Sequence, residues 1–204
     1  RKHAETVSNM LDQKDLYYRI AEIQESALNH LDDAIATYHA ILELDTEDQI
    51  SLDALERLYE SNEKWAELID IYKRKMDASS ESSERIELAV KAAYTYKNRM
   101  NDVDSAIENY VQALSEDQNN LNILTSLEDL YTETKRYDDL LETLETKVNC
   151  DADNKHEHQL KMARILIENI NDNARAIEVL KSVLDEEPDT TAAIVALNGL
   201  LGYG

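Results

Sequence analysis

A chain of 204 residues with only three Gly and one Pro, 31% of it charged, excludes loop-rich and β-rich architectures and fits a nearly all-helical protein. Its 43 acidic against 21 basic residues leave a formal net charge of −22, which speaks against binding nucleic acid or an anionic membrane through bulk charge. No apolar run approaches the ~20 residues needed to span a bilayer; no signal peptide is legible, which favours a cytoplasmic setting, and Cys150, being alone, cannot form an internal disulfide.

Residues 1 to about 12 read as the tail of a helix. Leu16, Tyr17, Ile20, Ala21 and Ile23 open a first helical hairpin with Asp15 as its expected N-cap. Its second helix starts near Asp32 and closes at Asp45-Thr46-Glu47-Asp48, where Asp48 can cap the next helix. That helix runs to about Ser61, Trp65 opens its partner, and Asp77 to Ser83 read as a loop or fraying end. The third hairpin takes Ile86 to Arg99 and Val103 to Leu114, turning at Asn101-Asp102. The fourth takes Leu121 to Glu133 and Tyr137 to Val148, and Asn149 to Asn154 follow as a polar connection. The fifth takes His156 to Asn169 and Ala174 to Leu184, and Pro188 blocks its continuation. Thr190 or Thr191 caps one last helix, which Gly199 to Gly204 are expected to fray.

The elements recur. Leu52, Leu55, Glu56, Tyr59, Leu68 and Tyr72 sit 72 residues before Leu124, Leu127, Glu128, Tyr131, Leu140 and Leu144. Between these copies lies a second hairpin type, marked by Ala34-Ile35, Ala106-Ile107 and Ala176-Ile177. Half of the long period is about the 34 residues of a tetratricopeptide repeat. The units are a half unit 1–14, units of about 15–48, 49–86, 87–120, 121–156 and 157–190, and a half unit 191–204. Shifted by one long period, Arg1-Lys2-His3 falls near the end of a second helix, so the chain is expected to be part of a longer array.

These residues resemble the tetratricopeptide repeat family over nearly the whole chain. Leu52, Tyr59 and Trp65 fill its large and aromatic positions, Ala34, Ala106 and Ala176 its small position in the second helix, and Pro188 its closing proline. Where the family has a small residue in the first helix, this chain has Glu22, Glu56, Tyr94, Glu128 and Arg164. The resemblance implies an all-α, right-handed α-solenoid of antiparallel helix hairpins. Inside its hairpins, Ala21 is expected to face Ala34, Ala93 to face Ala106 and Ala163 to face Ala176. In the other type Leu55 faces Leu68 and Leu127 faces Leu140. Alanine pairs allow axes toward ~8 Å apart and leucine pairs push them toward ~10 Å, so tight and wide hairpins should alternate.

The resemblance also implies that first helices line a concave groove gripping a peptide or a partner's helix. The residues expected there are Arg19, Arg57, Lys91, Asn98 and Lys161. Arg19, Lys91 and Lys161 hold equivalent places, with Asp53 and Thr125 there in the intervening units. The three cations could grip an acidic segment or a C-terminal carboxylate. Alternatively Asp53, Glu60 and Asp129 pair with them and the cations are internal scaffolding. Family members that hold a C-terminal carboxylate combine Lys with Asn, a pattern that only Lys91 with Asn98 echoes.

Eleven tyrosines and no phenylalanine supply the aromatics. Tyr38, Tyr59, Tyr72, Tyr110 and Tyr131 fall on the apolar stripe with hydroxyls toward the surface, and one of each pair Tyr17/Tyr18 and Tyr94/Tyr96 should face outward. His156 and His158 with Asp151 and Asp153 have metal-ligand types, but the two His do not share a helical face, and a surface loop with a helix start accounts for them. There is no phosphate-binding glycine loop and no nucleophile motif. The reading is a non-catalytic protein-interaction scaffold without cofactor or metal, monomeric or stacking end to end. The alternatives are a regulatory or substrate-presenting region of a larger enzyme, or a self-stacking spacer.

Overall fold

In the computed structural model, which describes residues 10–27 and 30–202, eleven α-helices follow one another and no strand occurs among the described residues. They are α1 (Met10–Ser26), α2 (Leu31–Leu44), α3 (Gln49–Ser61), α4 (Trp65–Ala78), α5 (Ser82–Thr95) and α6 (Val103–Glu116). Then come α7 (Leu121–Thr134), α8 (Tyr137–Cys150), α9 (Lys155–Ile165), α10 (Asn173–Glu186) and α11 (Thr191–Leu201). Within α1–α5 and within α7–α11 the helices form packed antiparallel pairs, each set against its neighbours in sequence.

The chain divides into two compact units, 1–109 and 110–204, with the boundary inside α6. In the first, α1 to α5 bury Leu52, Leu55, Leu58, Leu68, Ile69 and Ile71 almost completely. In the second, α7 to α11 bury Leu124, Leu127, Leu130, Leu144 and Leu166. The residues expected to face each other within hairpins are all buried, the six alanines at no more than 1% exposure and the four leucines at no more than 3%. A fully buried leucine is worth ~1.5–3 kcal/mol of transfer free energy, so the leucine pairs contribute directly by burial, whereas the alanine pairs act mainly by letting the helices approach.

The two hairpin types close differently. In the leucine type a residue just past the first helix is left-handed, Glu63 at φ 56°, one residue beyond the cap Asn62, and Lys135 at φ 57°, directly after α7. The next amide reaches back five residues: Lys64 N–H donates to the Tyr59 carbonyl and Arg136 N–H to that of Tyr131, both at 2.9 Å. In the alanine type the helix widens into a π-turn, Tyr96–Met100 after α5 and Leu166–Ile170 after α9, before left-handed Asn101 and Asn171. There the amide reaches back six, from Asp102 to Tyr96 (2.9 Å) and from Asp172 to Leu166 (2.8 Å). His30 to Gln24 (2.7 Å) repeats that bond in the first hairpin. Side-chain caps follow the same long period. Asp48 and Asn120 accept from the Ser51 and Ile123 amides at the starts of α3 and α7. Asp102 and Asp172 accept from those of Ser105 and Arg175 at the starts of α6 and α10.

Several local expectations are corrected. Asp15 is no N-cap but lies inside α1, because nothing from Met10 onward breaks the helix; residues 1–9 lie outside the described residues. The polar run Asp77 to Ser83 is mostly helical: α4 continues to Ala78 and α5 begins at Ser82, leaving only 79–81 between them. Ser79 bridges that gap, its hydroxyl donating to Glu84 at 2.6 Å while its carbonyl accepts from Arg85 at 3.0 Å. Cys150 closes α8, and Ala152–Asn154 form a 3-10 turn. Gly199 does not fray α11, which stops at left-handed Gly202 (φ 78°).

Candidate partner-binding surface

Four of the five expected groove residues, Arg19, Arg57, Lys91 and Asn98, lie in the first unit and Lys161 in the second. Lys91 and Lys161 are already engaged, by acids other than those expected. The acids are Glu56 and Glu128, the carboxylates standing where the family has a small first-helix residue. Glu56 of α3 takes Lys75 of α4 on one oxygen and Lys91 of α5 on the other, the latter at 3.3 Å. Glu128 of α7 takes Lys147 of α8 at 2.6 Å and Lys161 of α9 at 3.2 Å. The remaining contacts also repeat: Lys75 meets Asp53 (2.7 Å) where Lys147 donates to Thr125 (3.1 Å), and Lys91 meets Glu87 (3.1 Å) where Lys161 meets Glu157 (3.4 Å). Asp53 therefore pairs with Lys75 rather than Lys91, one turn displaced from the expected pairing. Among the described residues no ion pair joins Glu60 or Asp129 to either cation.

Each clamp places one carboxylate between a nearly buried lysine and a half-exposed one, with side-chain exposures of 7% for Lys147, 14% for Glu128 and 36% for Lys161. Burial alone would raise the Glu128 carboxyl; the hydrogen bonds from Lys147 and Lys161 outweigh it and hold the group below its ordinary value. Burial likewise opposes charge on Lys75, Lys91 and Lys161, and their carboxylate partners still raise all three. A comparable knot ties α1 to the start of α3. Lys14 bridges Asp45 (2.8 Å) and Asp48 (2.5 Å), and the Tyr18 hydroxyl donates to Asp48; burial and that bond push Tyr18 up to about 12.

The other expected groove residues are less constrained. Arg57 is exposed and pairs with Glu25 at 2.5 Å. Asn98 is exposed in the first π-turn, its amide donating to the Tyr94 carbonyl at 3.0 Å. Arg19 is exposed and has no ion-pair partner among the described residues.

The tyrosines of the apolar stripe are buried as expected, and two hydroxyls find partners: Tyr38 donates to Glu25 (2.8 Å), and Tyr59 meets His39 Nε2 at 2.6 Å. Tyr17 is buried and Tyr94 is exposed, with Tyr18 and Tyr96 half-buried beside them. Trp65 and Tyr137 both open a second helix and are both half-buried. His158 is not a surface residue. It is 4% exposed and bonds Asp151 at 2.9 Å, a contact that holds the Asp151 carboxyl low. His156 lies against Glu186 and Glu187. No three His, Cys, Asp or Glu side chains come together as a metal site among the described residues, and no helix there is long and apolar enough to cross a membrane.

In the second unit two adjoining hollows run along the first helices. One, of about 640 Å³, lies among α7, α8 and α9, with Glu128, Asp129 and Glu133 beside Leu140 and Leu144 on its lining. The other, of about 730 Å³, lies between α9 and α11 with an apolar floor. They share Lys161, Arg164 and Glu168. A third hollow, of about 670 Å³, lies between second helices α2 and α4 beside His39 and Arg74.

Tetratricopeptide repeat family models match residues 51–86 and 159–190, one leucine-type and one alanine-type unit. No curated protein matches the chain. Among solved structures, the chain is similar to YrrB, described as a tetratricopeptide repeat protein with an unusual peptide-binding site, at 19% identity over 88% of this chain and 89% of that one, TM-score 0.46. It is similar to a MamA protein at 16% identity over 86% and 92%, TM-score 0.46. MamA from Desulfovibrio magneticus RS-1 follows at 10% identity over 90% and 99%, TM-score 0.44. At these identities none of the three bears on what this chain binds. Tetratricopeptide repeats are thus recognised in each of the chain's two units.

Proposed function

We propose that the chain is a non-catalytic scaffold that holds a segment of a partner protein against its first helices. The observation that carries this is the pair of adjoining hollows on the first-helix side of the second unit, large enough together for several side chains of a partner. The clamps refine which residues do the work. Lys91 and Lys161 are spent on Glu56 and Glu128, so they set the packing of successive hairpins, and binding falls to the exposed side chains around them. Arg19, Arg57 and Asn98 are the exposed candidates in the first unit, and Arg164 stands at the shared edge of the hollows in the second.

Site-specific photo-cross-linking tests this. A cross-linker at Asn98 or Arg164 should capture a partner from lysate, and one at Asp70 or Lys181, exposed on second helices, should not. Capture only from the second-helix positions would overturn the reading.

A further inference from the structure

On the second-helix side of the second unit, a hollow of about 400 Å³ lies between α8 and α10 with buried residues of α9 at its floor. We infer that it binds a free aliphatic amine as its ammonium ion, the carbon chain lying on Val148, Met162 and Val179 and one N–H donating to Gln159 Oε1. Those apolar side chains stand beside Glu145, Asn149, Glu178 and Ser182, and among the described residues no basic side chain lines the hollow. Its size falls within the roughly 300–1,000 Å³ of small-molecule sites, and it lies on second helices, not on the first helices proposed for a partner protein.

Gln159 is the residue that asks for a ligand. It is 7% exposed; its Nε2 donates to Ser182 Oγ at 3.3 Å, and its Oε1 is buried without a hydrogen-bond partner. A buried acceptor left unpaired is destabilising, so a donor arriving from the hollow has something to gain there. Packing does not require a polar residue at this place. Gln159 stands two residues before Lys161, and the equivalent positions before Lys91 and Arg19 are filled by Ala89 and Tyr17, 1% and 5% exposed.

The walls specify which donor. Glu178 is exposed and has no ion-pair partner among the described residues, and Glu145 meets exposed Arg175 at 3.4 Å, a weak surface pair that leaves its carboxylate open to a second cation. The Asn149 amide N–H is already given to the Glu145 carbonyl at 2.9 Å, so its remaining valence is also an acceptor. Anions are repelled by such a lining. A metal ion would need several ligating oxygens, and no three His, Cys, Asp or Glu come together among the described residues. An ammonium on a carbon chain supplies N–H donors, positive charge and apolar surface together. Lys73 stands 72 residues before Glu145, so the wall that is acidic here carries a base in the earlier copy.

Calorimetric titration of the whole chain with butylammonium tests this, beside tetramethylammonium, a cation without N–H. Butylammonium should bind and tetramethylammonium should not. Gln159→Leu leaves the net charge unchanged and should weaken butylammonium roughly tenfold or more. Glu178→Gln should also weaken it, whereas Asp70→Asn, the same charge change on exposed α4, should not. Circular dichroism checks each fold, and the Gln159 side-chain amide resonances of the wild-type chain should move during the titration whether or not the variant folds. Equal affinities for wild type and Gln159→Leu, or for the two cations, would mean diffuse attraction to an acidic chain and overturn the site. Absence of binding at millimolar concentration would do the same. Tighter binding of Nα-acetyl-lysine amide than of butylammonium would put the ammonium on a protein and overturn the free amine.

Discussion

Lys161 of α9 donates to Glu128 of α7 at 3.2 Å, so one first helix is tied to the first helix of the hairpin before it. The same carboxylate holds Lys147 from its own hairpin at 2.6 Å. One side chain therefore fixes three helices, and Glu56 does the same among α3, α4 and α5.

Removing that carboxylate leaves Lys147 nearly buried and uncompensated. Glu128→Ala should cost about 3–5 kcal/mol, whereas Lys161→Ala, which removes a third-exposed partner, should cost about 1 kcal/mol or less. Replacing Glu128 and Lys147 together by Met should recover most of the loss, since neither charge then remains. Urea unfolding of the three variants beside wild type measures this.

The pH profile follows from the signs of the shifts. Glu128 and Asp48 have folded pKa values below their ordinary 4.5 and 3.8, so their stabilisation is present above those values and lost as pH falls through the lower folded ones. Lys75, Lys91 and Lys161 are raised above 10.5; their contribution is present below that and lost as pH rises through the folded values. His39 is lowered, by burial first and by Arg74, so the unfolded chain takes up its proton more readily below pH 6.5. Stability should be flat from neutral to mildly alkaline pH, decline gently below about 6.5 and fall steeply below about 4.5. His39→Gln should abolish the gentle decline and Glu128→Gln should weaken the steep fall, as followed by thermal unfolding across pH.

Lys135 holds a left-handed conformation that costs an L-residue with a Cβ roughly 1–2 kcal/mol. Lys135→Gly should raise stability by about 1 kcal/mol. Asn101→Gly should gain less, because Asn tolerates that region with little strain. Denaturation midpoints of the two variants decide it.

Both hairpin types should lose stability on exchange of their facing residues, for opposite reasons. Leu127→Ala should cost about 2–5 kcal/mol by leaving a cavity, and Ala163→Leu about 1–3 kcal/mol by overpacking a close approach. If axes are equally spaced in both types, Ala163→Leu should be tolerated. Crystal structures of the variants would show which helices move.

The repeat, the hairpin order and the buried Ala and Leu positions were legible in the sequence, because side-chain size at three- and four-residue spacing sets which faces pack. The partners of Lys91 and Lys161 were not. Asp53 and Glu56 lie a turn apart on one helix, and only the direction in which α4 and α5 cross α3 decides which carboxylate each lysine reaches. The π-turns were also hidden. Asn101 and Asn171 marked the turn, but nothing in Tyr96–Met100 or Leu166–Ile170 announces a widened helix. The burial of His158 depends on Asp151, which reads as loop until the 3-10 turn folds it back.

Trp65 is the only tryptophan in the chain, and its ring lies beneath the Arg99 guanidinium, 5.2 Å from the ring centroid. Its emission is thus an intrinsic reporter confined to the first unit, while helicity measured by circular dichroism sums both. A substitution at Glu128 that lowers the helical transition without moving the fluorescence would reveal two halves melting separately; coincident curves would mean they melt as one.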